Sequence, residues 1–230
     1  MEDFIIRIFL YTLLPLLSAA LVIRLDRRIQ SRTQRLEVYL LYLFGLGVAG
    51  SGIGGFFGHL FLSDIVAESI GWEVGSPFQL EMGFANLALG VLGLIATARR
   101  DGFREATVIA VTVIGVGASI VHFIDIAQTG NLAPGNTLQN ISNLIKPALL
   151  IGFLRASRLA ETIGDVGEAW SVKHVQAVGW MTGMAAGGFG FGFGFNQALL
   201  GTALGVLAGA AMVYITLKNR GKSVGSFENG

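Results

Sequence analysis

Apolar residues along this chain come in long blocks separated by short polar stretches, not in the short alternating runs of a soluble domain. A membrane helix needs about 20 consecutive apolar residues. Blocks of this kind fall at residues 4–23, 38–62, 77–98 and 106–127, and a shorter fifth at 139–153. Two more fit between 175 and 217, with a tight connection near Phe195, Asn196 and Gln197. The pattern predicts an all-α fold, a polytopic transmembrane helical bundle of seven spans. It divides into a five-helix membrane module (1–158), a cytoplasmic interfacial segment (159–174), a glycine-rich transmembrane hairpin (175–217) and a cytoplasmic tail (218–230). The first block does not read as a cleaved signal peptide, because Glu2 and Asp3 stand where a basic n-region belongs.

Composition narrows the class further. Of 230 residues, 53% are hydrophobic and 13% charged, against about 25% charged in ordinary soluble domains. The mean hydropathy is +0.65. These values exclude a disordered tail, a secreted disulfide scaffold and a nucleic-acid binder. With no cysteine, there is no disulfide, thiolate metal site or thiol nucleophile.

Charge gives the orientation. Positive residues gather on the cytoplasmic side of membrane proteins. Arg24, Arg27, Arg28, Arg32 and Arg35 lie between spans one and two, and Arg99, Arg100 and Arg104 between three and four. Arg155, Arg158 and Lys173 lie between five and six, and Lys218, Arg220 and Lys222 follow span seven. Of the 16 basic residues only Arg7 and Lys146 fall elsewhere, both inside spans. The opposite loops hold Asp64, Glu68 and Glu73 and no Lys or Arg. The N-terminus is therefore expected outside and the C-terminus in the cytoplasm of a cell whose inner (plasma) membrane holds the protein.

Local signals complete the frame. Ser76-Pro77-Phe78-Gln79 reads as a helix start with Ser as N-cap and Gln completing a capping box. Residues 131–136 (Asn-Leu-Ala-Pro-Gly-Asn) form a turn-rich loop. Glycines recur every fourth position at Gly50, Gly54 and Gly58, at Gly179, Gly183 and Gly187, and at Gly201, Gly205 and Gly209. Such ladders let helix backbones approach closely in lipid. They predict tight intramolecular packing, with a homo-oligomer seam on spans six and seven as the alternative. The alternating Gly-Phe run at 188–195 is expected to form a helix end, since an isolated strand would leave its backbone unsatisfied in lipid.

Ionisable residues inside spans are costly and mark candidate functional sites. Counting turns puts His59, Glu81, His122, Asp125, Asn143 and Lys146 at one level, just below the outer surface, contributed by four helices. Gly115, Ser119, His122 and Asp125 form one stripe of span four. Three readings remain open. His59, Glu81, His122 and Asp125 could bind a divalent metal such as zinc, iron or manganese and support membrane-embedded catalysis. His59 and His122 could ligate a haem from two helices. Or the groups pair with one another, for example Glu81 with Lys146, and hold the bundle, bind a small solute or relay protons. The functional classes are thus a metal-binding membrane enzyme, a small-solute or proton-linked transporter, and an accessory membrane subunit, with the lipid bilayer and a second copy of the chain as the expected partners.

The segments 58–61 (Gly-His-Leu-Phe), 70–72 (Ile-Gly-Trp) and 75–81 (Gly-Ser-Pro-Phe-Gln-Leu-Glu), then Asn86, Leu87 and Gly90, and later 130–136 (Gly-Asn-Leu-Ala-Pro-Gly-Asn), carry a resemblance. Over about residues 38–155 the chain resembles an uncharacterised family of small prokaryotic multi-pass membrane proteins. The resemblance implies no activity; it places the polar cluster inside a shared module and the glycine-rich hairpin outside it.

Overall fold

In the computed structural model the described residues are 2–27, 29–165 and 207. They are helical with short connections and contain no strand. We number the helices α1 (Ile5–Leu25), α2 (Arg32–Phe61), α3 (Ser63–Ile70), α4 (Phe78–Ala98), α5 (Gly102–Thr129), α6 (Pro134–Thr137) and α7 (Gln139–Thr162). Helices α1, α2, α4 and α5 are long and apolar enough to cross a membrane. Helix α7 is 24 residues long, but its first turns carry Asn140, Asn143 and Lys146. The expected spans six and seven, their glycine ladders and the Gly-Phe run lie outside the described residues.

The helix bounds follow local chemistry. Ser31 caps α2 in a reciprocal capping box with Gln34. Asp101 caps α5 by accepting from the Phe103 N–H at 3.0 Å, and the Arg99 guanidinium beside it holds its carboxyl below the usual carboxylate range. Gly130 ends α5 in a left-handed conformation, φ +71°. At α4 the expectation is corrected in part: the Ser76 hydroxyl accepts from the Phe78 N–H (3.3 Å), but the Gln79 side chain turns inward to His59 and completes no capping box. Helix α7 runs unbroken through residue 158, where the membrane module was expected to end.

Two stretches are wound as π-helix, Phe9–Leu13 in α1 and Leu43–Gly50 in α2. They pack against each other in the middle of the bundle. A Cβ added at Gly47 would stand 3.2 Å from the Tyr11 carbonyl. The core nearby joins Leu40, Leu43, Phe44 and Val48 of α2 to Ala96, Val108, Val111, Leu150 and Leu154. Exposed large apolar side chains such as Leu17, Phe84, Ile109 and Ile120 cover the outward faces, as lipid contact requires.

The glycine contacts differ in register from the expectation. A close backbone approach joins α2 to α4 through Gly52, Gly90 and Gly93. A Cβ at Gly52 would lie 2.5 Å from the Gly90 nitrogen, and one at Gly93 2.7 Å from the Ala49 nitrogen. Gly54 instead faces the Tyr11 hydroxyl (3.0 Å) and Gly58 faces Val66 (3.8 Å). The helix-packing seam is therefore one step away from the 50, 54, 58 ladder.

One end of the bundle is stapled by buried charge. Arg104 is 1% exposed and Glu37 5%. Arg104 Nη1 donates to Glu37 Oε2 at 2.7 Å, Arg100 Nε pairs with the same oxygen at 2.9 Å, and the Ser157 hydroxyl donates to Glu37 Oε1 at 2.9 Å. Arg104 Nε also donates to the Ala96 carbonyl at 2.9 Å. Helices α2, α5 and α7 and the loop before α5 meet on one carboxylate, and Arg104 ties in α4 through the Ala96 carbonyl. Arg100 and Arg104, counted above only as loop charges, are thus structural.

Candidate functional site

At the opposite end, the segments after α2 and α5 contact each other beside a cavity of about 550 Å³ lined by residues of all seven helices. Tyr11 of α1, Ser51, Gly54, Gly55, Gly58 and His59 of α2, Asn86 of α4, His122 of α5, and Gln139, Ser142, Asn143 and Lys146 of α7 all reach its wall. The glycines make the room: with no side chain at 54 or 58, α2 presents bare backbone to the space. Thr12 and Ser142 hydroxyls, 3.5 Å apart, tie α1 to α7 beside it.

The six residues expected at one level separate into distinct groups. His122 and Asp125 belong to a rim network. Asp125 Oδ2 accepts from Trp72 Nε1 (3.0 Å), Asn131 Nδ2 (2.8 Å) and Asn136 Nδ2 (2.9 Å). Because the carboxylate only accepts, the Asn136 amide is fixed with its oxygen toward His122, whose Nδ1–H donates to it at 2.7 Å. The Trp72 ring stacks on His122 with centroids 5.4 Å apart. Asn131 Nδ2 also reaches the Ile70 carbonyl at 2.9 Å, which fastens the α5–α6 loop to the end of α3. Gly135 lies so close to the Ser69 carbonyl that a Cβ there would stand at 2.6 Å.

His59 stands apart from this network. Its Nδ1 is 2.7 Å from Gln79 Oε1, and Gln79 is 1% exposed. Lys146 does not pair with Glu81. Its Nζ donates to the Ser51 hydroxyl at 2.9 Å. Ser51 lies eight residues before His59 on α2, so Lys146 sits about 12 Å deeper at 1.5 Å per residue. Asn143 Oδ1 accepts from Gln139 Nε2 at 3.1 Å. Glu81 is exposed on the outer side of α4 and, among the described residues, makes no hydrogen bond or ion pair.

The four-residue metal set is corrected by this arrangement. Among the described residues no group of three or more His, Asp or Glu is placed to hold a metal ion. The reason is local: Glu81 faces outward, the Asp125 carboxylate is occupied by three amide and indole donors, and each histidine is engaged by its own side-chain amide.

Reasoning from sequence missed Trp72, Gln79, Asn131, Asn136, Tyr11 and Ser51. The first four lie in the segments that carry the family resemblance, where Gln79 and the asparagines read as turn and cap chemistry. Tyr11 and Ser51 gave no signal of their own.

Four helices long and apolar enough to cross a membrane, with large apolar side chains exposed on the bundle surface, point to a membrane protein with an all-helical fold. The model of a family of unknown function, DUF6790, matches residues 6–162. That is more than half of the chain, and the protein belongs to this family. The match begins upstream of the motifs quoted above and ends before the glycine-rich stretch. No curated protein and no solved structure matches the chain.

Proposed function

We propose that this is a multi-pass inner-membrane protein, of seven spans with its N-terminus outside, whose cavity binds a small organic solute entering from the non-cytoplasmic side. The observation that carries the reading is the cavity itself. Its volume, about 550 Å³, falls in the ~300–1,000 Å³ range of small-molecule sites, and its wall is apolar with a few placed polar groups. The orientation rests on the basic residues: the end stapled by Glu37 and Arg104 is the arginine-rich one, and the cavity lies toward the other. A metal-dependent enzyme is less well supported, because the proposed donors are dispersed or already engaged.

Carriage of the solute is the second reading, favoured by depth. Carriers place substrate-binding groups near the middle of the bilayer, and Lys146 with Ser51 lies well below the His59 level.

The test uses the absence of cysteine from the chain. Ala118 lines the cavity, while Val116, on the same helix, is 39% exposed on the outer face. In membranes, a water-soluble maleimide is expected to label Ala118→Cys and to leave Val116→Cys unlabelled, because thiols react as thiolates and need water. Failure to label Ala118→Cys, or equal labelling of both, overturns the solute-cavity reading.

A further inference from the structure

We infer that the ligand of this cavity is an amphipathic monoanion, a single negative charge on an apolar body, with Lys146 as its counter-ion. The inference rests on the solute-binding reading and gives it a substrate class.

The first observation is the state of Lys146. It is half-buried, it lines the cavity, and its hydrogen-bond partner is the Ser51 hydroxyl. A hydroxyl supplies a dipole and no counter-charge. An ammonium group within a membrane bundle is costly unless an anion meets it. Among the described residues no ion pair is made by Lys146, and no Asp or Glu lines the cavity. The two nearest candidates by depth are committed elsewhere: Asp125 serves the rim network and Glu81 faces outward. The natural counter-ion is therefore brought by the ligand.

The second observation is the rest of the wall. Val48, Leu62, Val66, Met82, Leu89 and Ile114 surround the space above and beside Lys146. The polar amides nearby are satisfied within the protein: Asn86 Nδ2 donates to the Met82 carbonyl (2.8 Å) and Gln139 Nε2 to Asn143 (3.1 Å). A bare inorganic anion would leave most of this space empty and would gain nothing from the apolar wall. Arg7 also reaches the wall, but it already has a partner; Lys146, with a hydroxyl beside it, matches a single charge such as a carboxylate or a phosphate diester, whose tail then covers the apolar surface.

The experiment measures equilibrium binding of radiolabelled laurate to the whole protein in phosphatidylcholine nanodiscs. Methyl laurate serves as the neutral isostere, dodecyl methyl phosphate, a singly charged diester, as the second anion, and inorganic phosphate as the anion with no tail. Laurate and dodecyl methyl phosphate are expected to bind at least 10-fold more tightly than methyl laurate, and inorganic phosphate not to compete. Lys146→Met should weaken laurate at least 10-fold and leave methyl laurate unchanged, while Lys146→Arg should retain the preference for the acid. Adding acidic phosphatidylglycerol to the disc separates the sources: competition with laurate identifies a bilayer lipid as the supply, and its absence a dissolved amphiphile, each consistent with the monoanion. Equal binding of laurate and methyl laurate to the unmodified protein overturns the inference without depending on any variant. If neither binds while Ala118→Cys is labelled by the water-soluble maleimide, the cavity stands and the monoanion falls. If Ala118→Cys is also unlabelled, the cavity reading itself has failed.

Discussion

Gly52→Ala offers the sharpest test of the packing. The new methyl would stand 2.5 Å from the Gly90 nitrogen, 2.6 Å from the Asn86 carbonyl oxygen and 2.7 Å from the Gly90 Cα. All three are backbone atoms, so no rotamer change relieves the contact. Bringing the shortest to an ordinary 3.4 Å requires α2 and α4 to part locally by about 0.9 Å. A gap of that size forfeits roughly a quarter to a half of each dispersion contact along the seam. Overpacking of this kind costs about 1–3 kcal/mol, while alanine's better helix propensity returns about 0.5–1 kcal/mol. The control is Gly58→Ala, whose methyl would meet Val66 at a comfortable 3.8 Å and which keeps the propensity gain. The two variants should therefore differ by about 2 kcal/mol, or roughly 4–8 °C in Tm for a domain of this size. Thermal unfolding in detergent, followed by size-exclusion or tryptophan fluorescence, reads the difference. Equal Tm values for Gly52→Ala and Gly58→Ala would refute the assignment of the close seam to Gly52, Gly90 and Gly93.

Further outcomes follow from the same geometry. Glu37→Gln leaves the fully buried Arg104 without its carboxylate and should cost about 3–5 kcal/mol, read as a lower Tm; an unchanged Tm would show the staple to be dispensable. In a Trp170→Phe, Trp180→Phe background, Asp125→Ala should red-shift emission from Trp72, whose indole N–H loses its acceptor; unchanged emission would show that the rim does not depend on the carboxylate. A membrane-impermeant maleimide should label Glu73→Cys on intact cells and spare Gly102→Cys, and labelling of Gly102→Cys from outside would reverse the proposed orientation.

The lengths of the apolar blocks were enough to place α1, α2, α4 and α5 within a few residues, because the requirement to span a bilayer acts on each segment alone. Depth was legible only in part: counting turns at a fixed rise per residue brought His59 and His122 to the wall of one cavity, but Lys146, expected at their level, lies about 12 Å deeper beside Ser51. Facing was not legible. Glu81 has the depth expected of it but points away, and Lys146 meets Ser51 instead of Glu81. Rotation about a helix axis is set by packing against neighbours, and in α2 the π-wound stretch Leu43–Gly50 changes the angular phase of everything after it. The ladder of Gly50, Gly54 and Gly58 named one face of α2, where the close contact with α4 uses Gly52. The asparagines and Gln79 were hidden for a different reason. Read locally they are turn and cap residues; only tertiary structure places Asn131 on Ile70, Asn136 between His122 and Asp125, and Gln79 against His59, since those partners come from separate helices.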